Sequence, residues 1–92
     1  MRARATLLVE DARVRVTRFD FAPGAETGWH VHGHDYVVTP VTRCVMRLDE
    51  PGGAAREVTL EPGASYRRSA GVEHNVVNAG QDDMSFVEVE LL

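Results

Sequence analysis

His30 and His32 are separated by one residue, and His74 arrives from a segment well downstream. Neutral imidazole ligates zinc, copper, iron and nickel, with a ring nitrogen at about 2.0–2.1 Å from the ion. If His30 and His32 lie on an extended strand, residues two apart point to the same face, so both rings project into one interior. With His74 as the third ligand, the metal's charge stays uncompensated by protein and coordination positions stay open for water or substrate. That is the arrangement of a catalytic site, not of a closed structural one. We therefore expect one divalent transition metal on His30, His32 and His74, with Fe(II) or Zn foremost and Ni, Mn, Co and Cu open. The fourth ligand is also open among His34, Tyr36, Glu88 and water.

The histidines sit in two larger patterns, Gly24-x5-His30-x-His32 and Gly63-x5-Ser69-x-Gly71-x2-His74-x3-Asn78. Together they resemble the paired motifs of the cupin superfamily, Gly-x5-His-x-His-x3or4-Glu-x6-Gly and Gly-x5-Pro-x-Gly-x2-His-x3-Asn. Gly24, His30 and His32 match the first motif; Gly63, Gly71, His74 and Asn78 match the second. The departures are specific. The first motif's metal-binding Glu falls on Tyr36 or Val37, its closing Gly falls on Arg43, and the Pro of the second falls on Ser69. The resemblance implies a small all-β jelly-roll barrel whose motifs face each other across the lumen, carrying a three-histidine variant of the metal site. Residues 28–38 are also similar to a subgroup of small bacterial cupins, some associated with β-alanine degradation, which implies a small carboxylate or amino-acid-derived ligand.

Around the histidines other side chains can take part. Tyr36 shares parity with His30 and His32, so its phenol either orients substrate or donates a proton, as a catalytic residue, or plugs the barrel. Tyr66 and one of Arg67 and Arg68 should face the lumen, and we take Tyr66 and Arg68 as substrate-binding, the guanidinium as a bidentate dock for a carboxylate. Gly33 should break the strand and swing His34 to the rim, while Asp35 falls on the opposite parity. Glu88 and Glu90 alternate with Val87, Val89 and Leu91. If that acidic face is inward, Glu88 can accept a histidine N–H and fix its tautomer. Asn78 is expected to secure the turn after His74, and Cys44, beside Val45 and Met46, to be a packed interior thiol.

Short strands and tight turns must position these groups, with no helix of useful length. The expected strands are 5–10, 13–21, a histidine strand, 36–41, 44–50, 56–61, 65–68, 73–77 and 84–91, with a hairpin around Pro51-Gly52-Gly53. In the second strand Val14 and Val16 lie on one parity and Phe19 and Phe21 on the other, which predicts a bulge near Thr17. Gly and Pro turns between many short strands argue independently for a sandwich or barrel.

The 92 residues form one expected domain, 1–92, with no linker or repeat. A chain of this length buries roughly two-thirds of its unfolded surface, so its core is thin and a homodimer is the expected partner state. With 14 Asp and Glu against 10 Lys and Arg, the net charge of −4 excludes bulk nucleic-acid binding, which needs clustered positive charge. A lone cysteine excludes an internal disulfide. Neither a signal-like apolar run nor a membrane-spanning stretch is present, so a cytoplasmic location without membrane association is expected. The reading that follows is a metal-binding small cupin, an oxidoreductase of dioxygenase type acting on a small polar or carboxylate metabolite. With Fe(II), the resemblance implies dioxygen chemistry on a chelating substrate; with Zn, hydrolytic or lyase chemistry through an acidified water. The alternative is a non-catalytic module that binds a small molecule or a protein partner.

Overall fold

The computed structural model describes residues 1–92. Nine strands form: β1 (Arg4–Glu10), β2 (Val14–Phe21), β3 (His30–Val31), β4 (Asp35–Pro40), β5 (Cys44–Asp49), β6 (Ala55–Leu60), β7 (Tyr66–Arg68), β8 (Glu73–Asn78) and β9 (Met84–Leu91). The only helical element is one 3-10 turn at Pro51–Gly53, so no helix is long and apolar enough to cross a membrane. Two antiparallel sheets, ordered β1-β2-β9-β4-β7 and β3-β8-β5-β6, pack as a jelly roll. The predicted strands sit within a residue or two of these bounds. The exception is the histidine strand, which ends at Val31 and leaves His32 outside it.

Register explains what fills the lumen. Residues directly opposite on antiparallel strands share a face. Phe86 pairs with Phe19 and Pro40, and Glu88 with Thr17 and Val38. Along β9 the inward face therefore passes from Met84 and Phe86 to Glu88 and Glu90, from apolar to acidic. One end of the barrel is filled by Phe21, Met46, Met84 and Phe86, each 5% exposed or less. Full burial of side chains like these contributes about 1.5–3 kcal/mol apiece. The other end is lined by polar groups. Cys44 is fully buried within the apolar cluster, as its neighbours predicted.

The bulge expected near Thr17 does not form there. Strand β2 pairs with β9 in unbroken register from Val14 to Phe21, and the irregularity lies across from it in β1, between Leu7 and Val9. The change of parity is genuine. Phe19 and Phe21 point inward, while Val14 and Val16 pair with Leu91 and Val89 on the outer face. An edge strand with one free side can absorb an extra residue; β2, hydrogen-bonded on both sides, would break two ladders to do so.

Asn78 ties the two sheets together behind the site. Its buried amide donates to the Phe21 carbonyl at 3.2 Å and to the Asp82 carbonyl at 2.9 Å, and its oxygen accepts from the Gly80 N–H at 3.0 Å. It secures the turn after β8, as expected. Asn78→Ala should cost about 3 kcal/mol, because the bonds are lost and buried partners are left unpaired. Urea denaturation measures this; a loss under about 1 kcal/mol would show that the turn holds without it.

Candidate metal centre

His30 and His74 are directly opposite on β3 and β8, which fixes two of the three rings on one inner face. His32 lies beyond β3, where its backbone N–H donates to the Val72 carbonyl and its carbonyl accepts from the Gly71 N–H, each at 2.8 Å. The two motifs are thus stitched together by backbone bonds, and ring convergence does not depend on a regular His-x-His strand. The preceding loop is equally fixed. The Asn75 side chain accepts from the Gly28 N–H at 2.9 Å, and the Thr27 hydroxyl accepts from the Val76 N–H at 3.1 Å. Gly28 has φ +85, a left-handed conformation that glycine adopts without strain.

The three Nε2 atoms converge. His30 Nε2 lies 3.1 Å from His32 Nε2, which lies 3.2 Å from His74 Nε2, and the rings cross at 75–88°. Nitrogens bonded at about 2.1 Å to one ion, at octahedral to tetrahedral angles, are about 3.0–3.4 Å apart. Two of the three pairs have this spacing, and the set as a whole lies within 4.8 Å. His30 Nδ1 lies 2.9 Å from the Gly28 carbonyl, and a carbonyl only accepts, so the proton sits on Nδ1 and the Nε2 lone pair faces the centre. A cluster of three imidazole nitrogens this close could hold a metal ion.

Electrostatics keep the ligands in their binding form. Burial, then the charges of His30 and Arg68, hold His32 down to about 4. Burial, followed by His30, His32, Arg68 and Arg56, holds His74 down to about 3. Both stay neutral across the physiological range, as a ligand must.

No carboxylate belongs to the convergent set; His30, His32 and His74 are its only members. His34 is half-buried and outside it, and Asp35 faces outward, pairing with Arg67 at 2.7 Å. Glu88 faces inward, 8% exposed, with Oε1 at 3.8 Å from His32 Nδ1, and burial followed by the charge of Glu90 pushes its carboxyl up to about 7. Tyr36 occupies the place of the missing motif carboxylate and stacks on the His32 ring, centroids 3.8 Å apart. Its hydroxyl is buried without a partner, as is His74 Nδ1, and burial lifts the phenol well above its ordinary range. Tyr66 and Arg68 sit opposite Val38 and Tyr36, so Arg68 is the arginine that faces the lumen and Arg67 the one that does not.

An interior cavity of about 20 Å³ adjoins this group, lined by Tyr36, His74 and Glu88 among apolar side chains. A partnerless buried hydroxyl costs about 1–3 kcal/mol. Tyr36→Phe should therefore raise the stability of the metal-free protein by about 1 kcal/mol in urea denaturation; a loss of that size would reveal a partner for the phenol. The scaffold residues Thr27, Gly28 and Asn75 escaped sequence reasoning, since their bonds join segments far apart in the chain. Only the proximity of Asn75 to His74 hinted at a role.

The Cupin domain family model matches residues 17–90. The "Beta-alanine degradation protein BauB" of Pseudomonas aeruginosa is 52% identical over 86 residues, covering 94% of this chain and 90% of that protein. The crystal structure of a cupin domain from Bordetella pertussis Tohama I superposes with a TM-score of 0.94 at 44% identity, covering 99% of this chain and 94% of the other. The polyketide cyclase RemF of Streptomyces resistomycificus has a TM-score of 0.76 at 21% identity, covering 97% and 66%. That last likeness concerns the fold alone.

Proposed function

This chain belongs to the cupin domain family, and on that premise we propose that it is a metal-dependent enzyme of dioxygenase type acting on a small polar or carboxylate metabolite. The observation that carries the reading is the clustering of three histidine nitrogens with no carboxylate among them. Such a set retains the full charge of a divalent ion and leaves positions for substrate. Fe(II) or Zn is the proposed ion; when bound, it supplies Lewis acidity and, as Fe(II), access to dioxygen. Within the site His30, His32 and His74 would hold it, Glu88 would steady His32 through Nδ1, and Tyr36 would orient a ligand or donate a proton from the far face of His32. The relative named for β-alanine degradation supports a small amino-acid-derived carboxylate as substrate.

Oxygen uptake by the Fe(II)-loaded protein, measured against short amino acids, thiol acids and β-dicarbonyls, tests this. Uptake in step with product, absent without substrate, is the expected result. The alternative of a non-catalytic binding module draws on one observation, the small space beside the histidines, about 20 Å³, which is room for roughly one water. Ligands that shift the melting temperature yet are never turned over with either metal would decide for that module. Self-association is part of the proposal, since all of β1 is exposed and Leu7, Leu8 and Val9 are 50–56% accessible. A sedimentation mass of one chain would end it.

A further inference from the structure

Strands β6 and β7 are the facing edges of the two sheets, and no ladder joins them. A cavity of about 210 Å³ opens at this seam, lined by Met46, Leu48, Arg56, Tyr66 and Arg68 among others. It is smaller than the roughly 300–1,000 Å³ of most ligand pockets, so its occupant is a metabolite of few atoms. Met46 and Tyr66 also line the interior cavity beside His30 and His74, so the seam and the histidines are separated by single side chains.

The charges here are not equivalent. Arg56 is engaged by Glu50 at 3.1 Å, and Arg67 on the outer face by Asp35 at 2.7 Å. Arg68 is half-buried and forms no ion pair or side-chain hydrogen bond. It stands directly opposite Tyr36, whose ring lies on His32, and it lines the seam cavity. A partly desolvated guanidinium with no anion is an incomplete electrostatic site, and its planar fork matches a carboxylate.

We propose that a small monocarboxylate docks in the β6–β7 seam, its carboxylate on Arg68, its body against Met46 and Tyr66, and its other end toward the histidines. This places the carboxylate end of the proposed substrate in the fold. It rests on the metal reading only for which end of the molecule reacts; docking itself needs no metal.

The test titrates propionate and its neutral isostere propionamide into metal-free and zinc-loaded protein by calorimetry. Wild type should bind propionate at least ~10-fold more tightly than propionamide, the worth of a charge-assisted pair. Arg68→Gln should erase that preference, while Arg13→Gln, at an exposed position, should leave it within twofold. No preference in wild type, or an Arg68→Gln Kd equal to wild type, overturns the proposal. If Arg68→Gln folds poorly, Arg68→Lys decides instead: charge without the fork should weaken propionate several-fold, and an unchanged Kd overturns bidentate docking. Failure of the metal reading would show separately, as a wild type that takes up no zinc yet still prefers propionate.

Discussion

The variant His30→Ala/His32→Ala/His74→Ala is expected to lose stoichiometric metal and, with it, all metal-dependent stabilisation. The wild-type site brings the three histidine ligand nitrogens within 4.8 Å of one another, with the His30 Nδ1–H donating to the Gly28 carbonyl. Folding assembles the site from two segments that the unfolded chain holds apart, so metal binding is coupled to folding. At free metal about 1,000-fold above Kd, the folded state gains about 4 kcal/mol, which for a domain of this size is on the order of 15–30 °C in Tm. Wild type should show this rise with Zn or Fe(II), and the variant should melt at one temperature with or without metal. Elemental analysis checks stoichiometry and calorimetric melting checks the shift. Metal retained by the variant at wild-type stoichiometry would place the ion elsewhere.

Glu88→Gln is the second large effect, and it has opposite signs in the metal-free and metal-loaded protein. In the metal-free protein burial raises the Glu88 carboxyl from about 4.5 to about 7. The folded state then binds the proton more tightly than the unfolded state, so this contribution is fully present below about 4.5 and is lost as pH rises through 7. The difference corresponds to about 3 kcal/mol. His32 and His74 act the other way: their folded values lie below the ordinary 6.5, so stability falls as pH drops beneath that value. Both proteins share the histidine contribution, and it cancels in the comparison. Glu88→Gln should therefore gain on wild type by about 3 kcal/mol between pH 4.5 and 8, in paired urea titrations. With a cation on the histidines, the Glu88 charge, 3.8 Å from His32 Nδ1, would become favourable. The same variant should then bind zinc about 10–100-fold more weakly in chelator competition. A stability difference independent of pH would mean the carboxylate is solvated; unchanged zinc affinity would mean it does not serve the ligand.

The two effects have one physical source. A three-histidine site gives up the carboxylate that would neutralise its ion, and this chain places Tyr36 where the family motif has that group. A carboxylate returns from β9, not as a member of the ligand cluster but against the outer nitrogen of His32. Charge would then be supplied to a bound ion without occupying a coordination position.

The clustering of His30, His32 and His74 was legible in the sequence because the motifs that space them are local. Gly24, Gly63 and Gly71 have φ of +80, +81 and +97, turns that glycine makes without strain, and they space the histidines along extended chain. Fold class followed in the same way from short strands between Gly and Pro turns. Tertiary structure alone decided which faces are inside. Period-two alternation shows that Glu88 and Glu90 share a face, and that Arg67 and Arg68 do not, but the pattern is symmetric and does not say which face meets the lumen. That choice is made by register against β2, β4 and β9, pairings between residues distant in sequence. For the same reason the parity slip in β2 read as a bulge in the wrong strand. A single strand shows that its alternation changes, while only its neighbours determine which chain absorbs the extra residue.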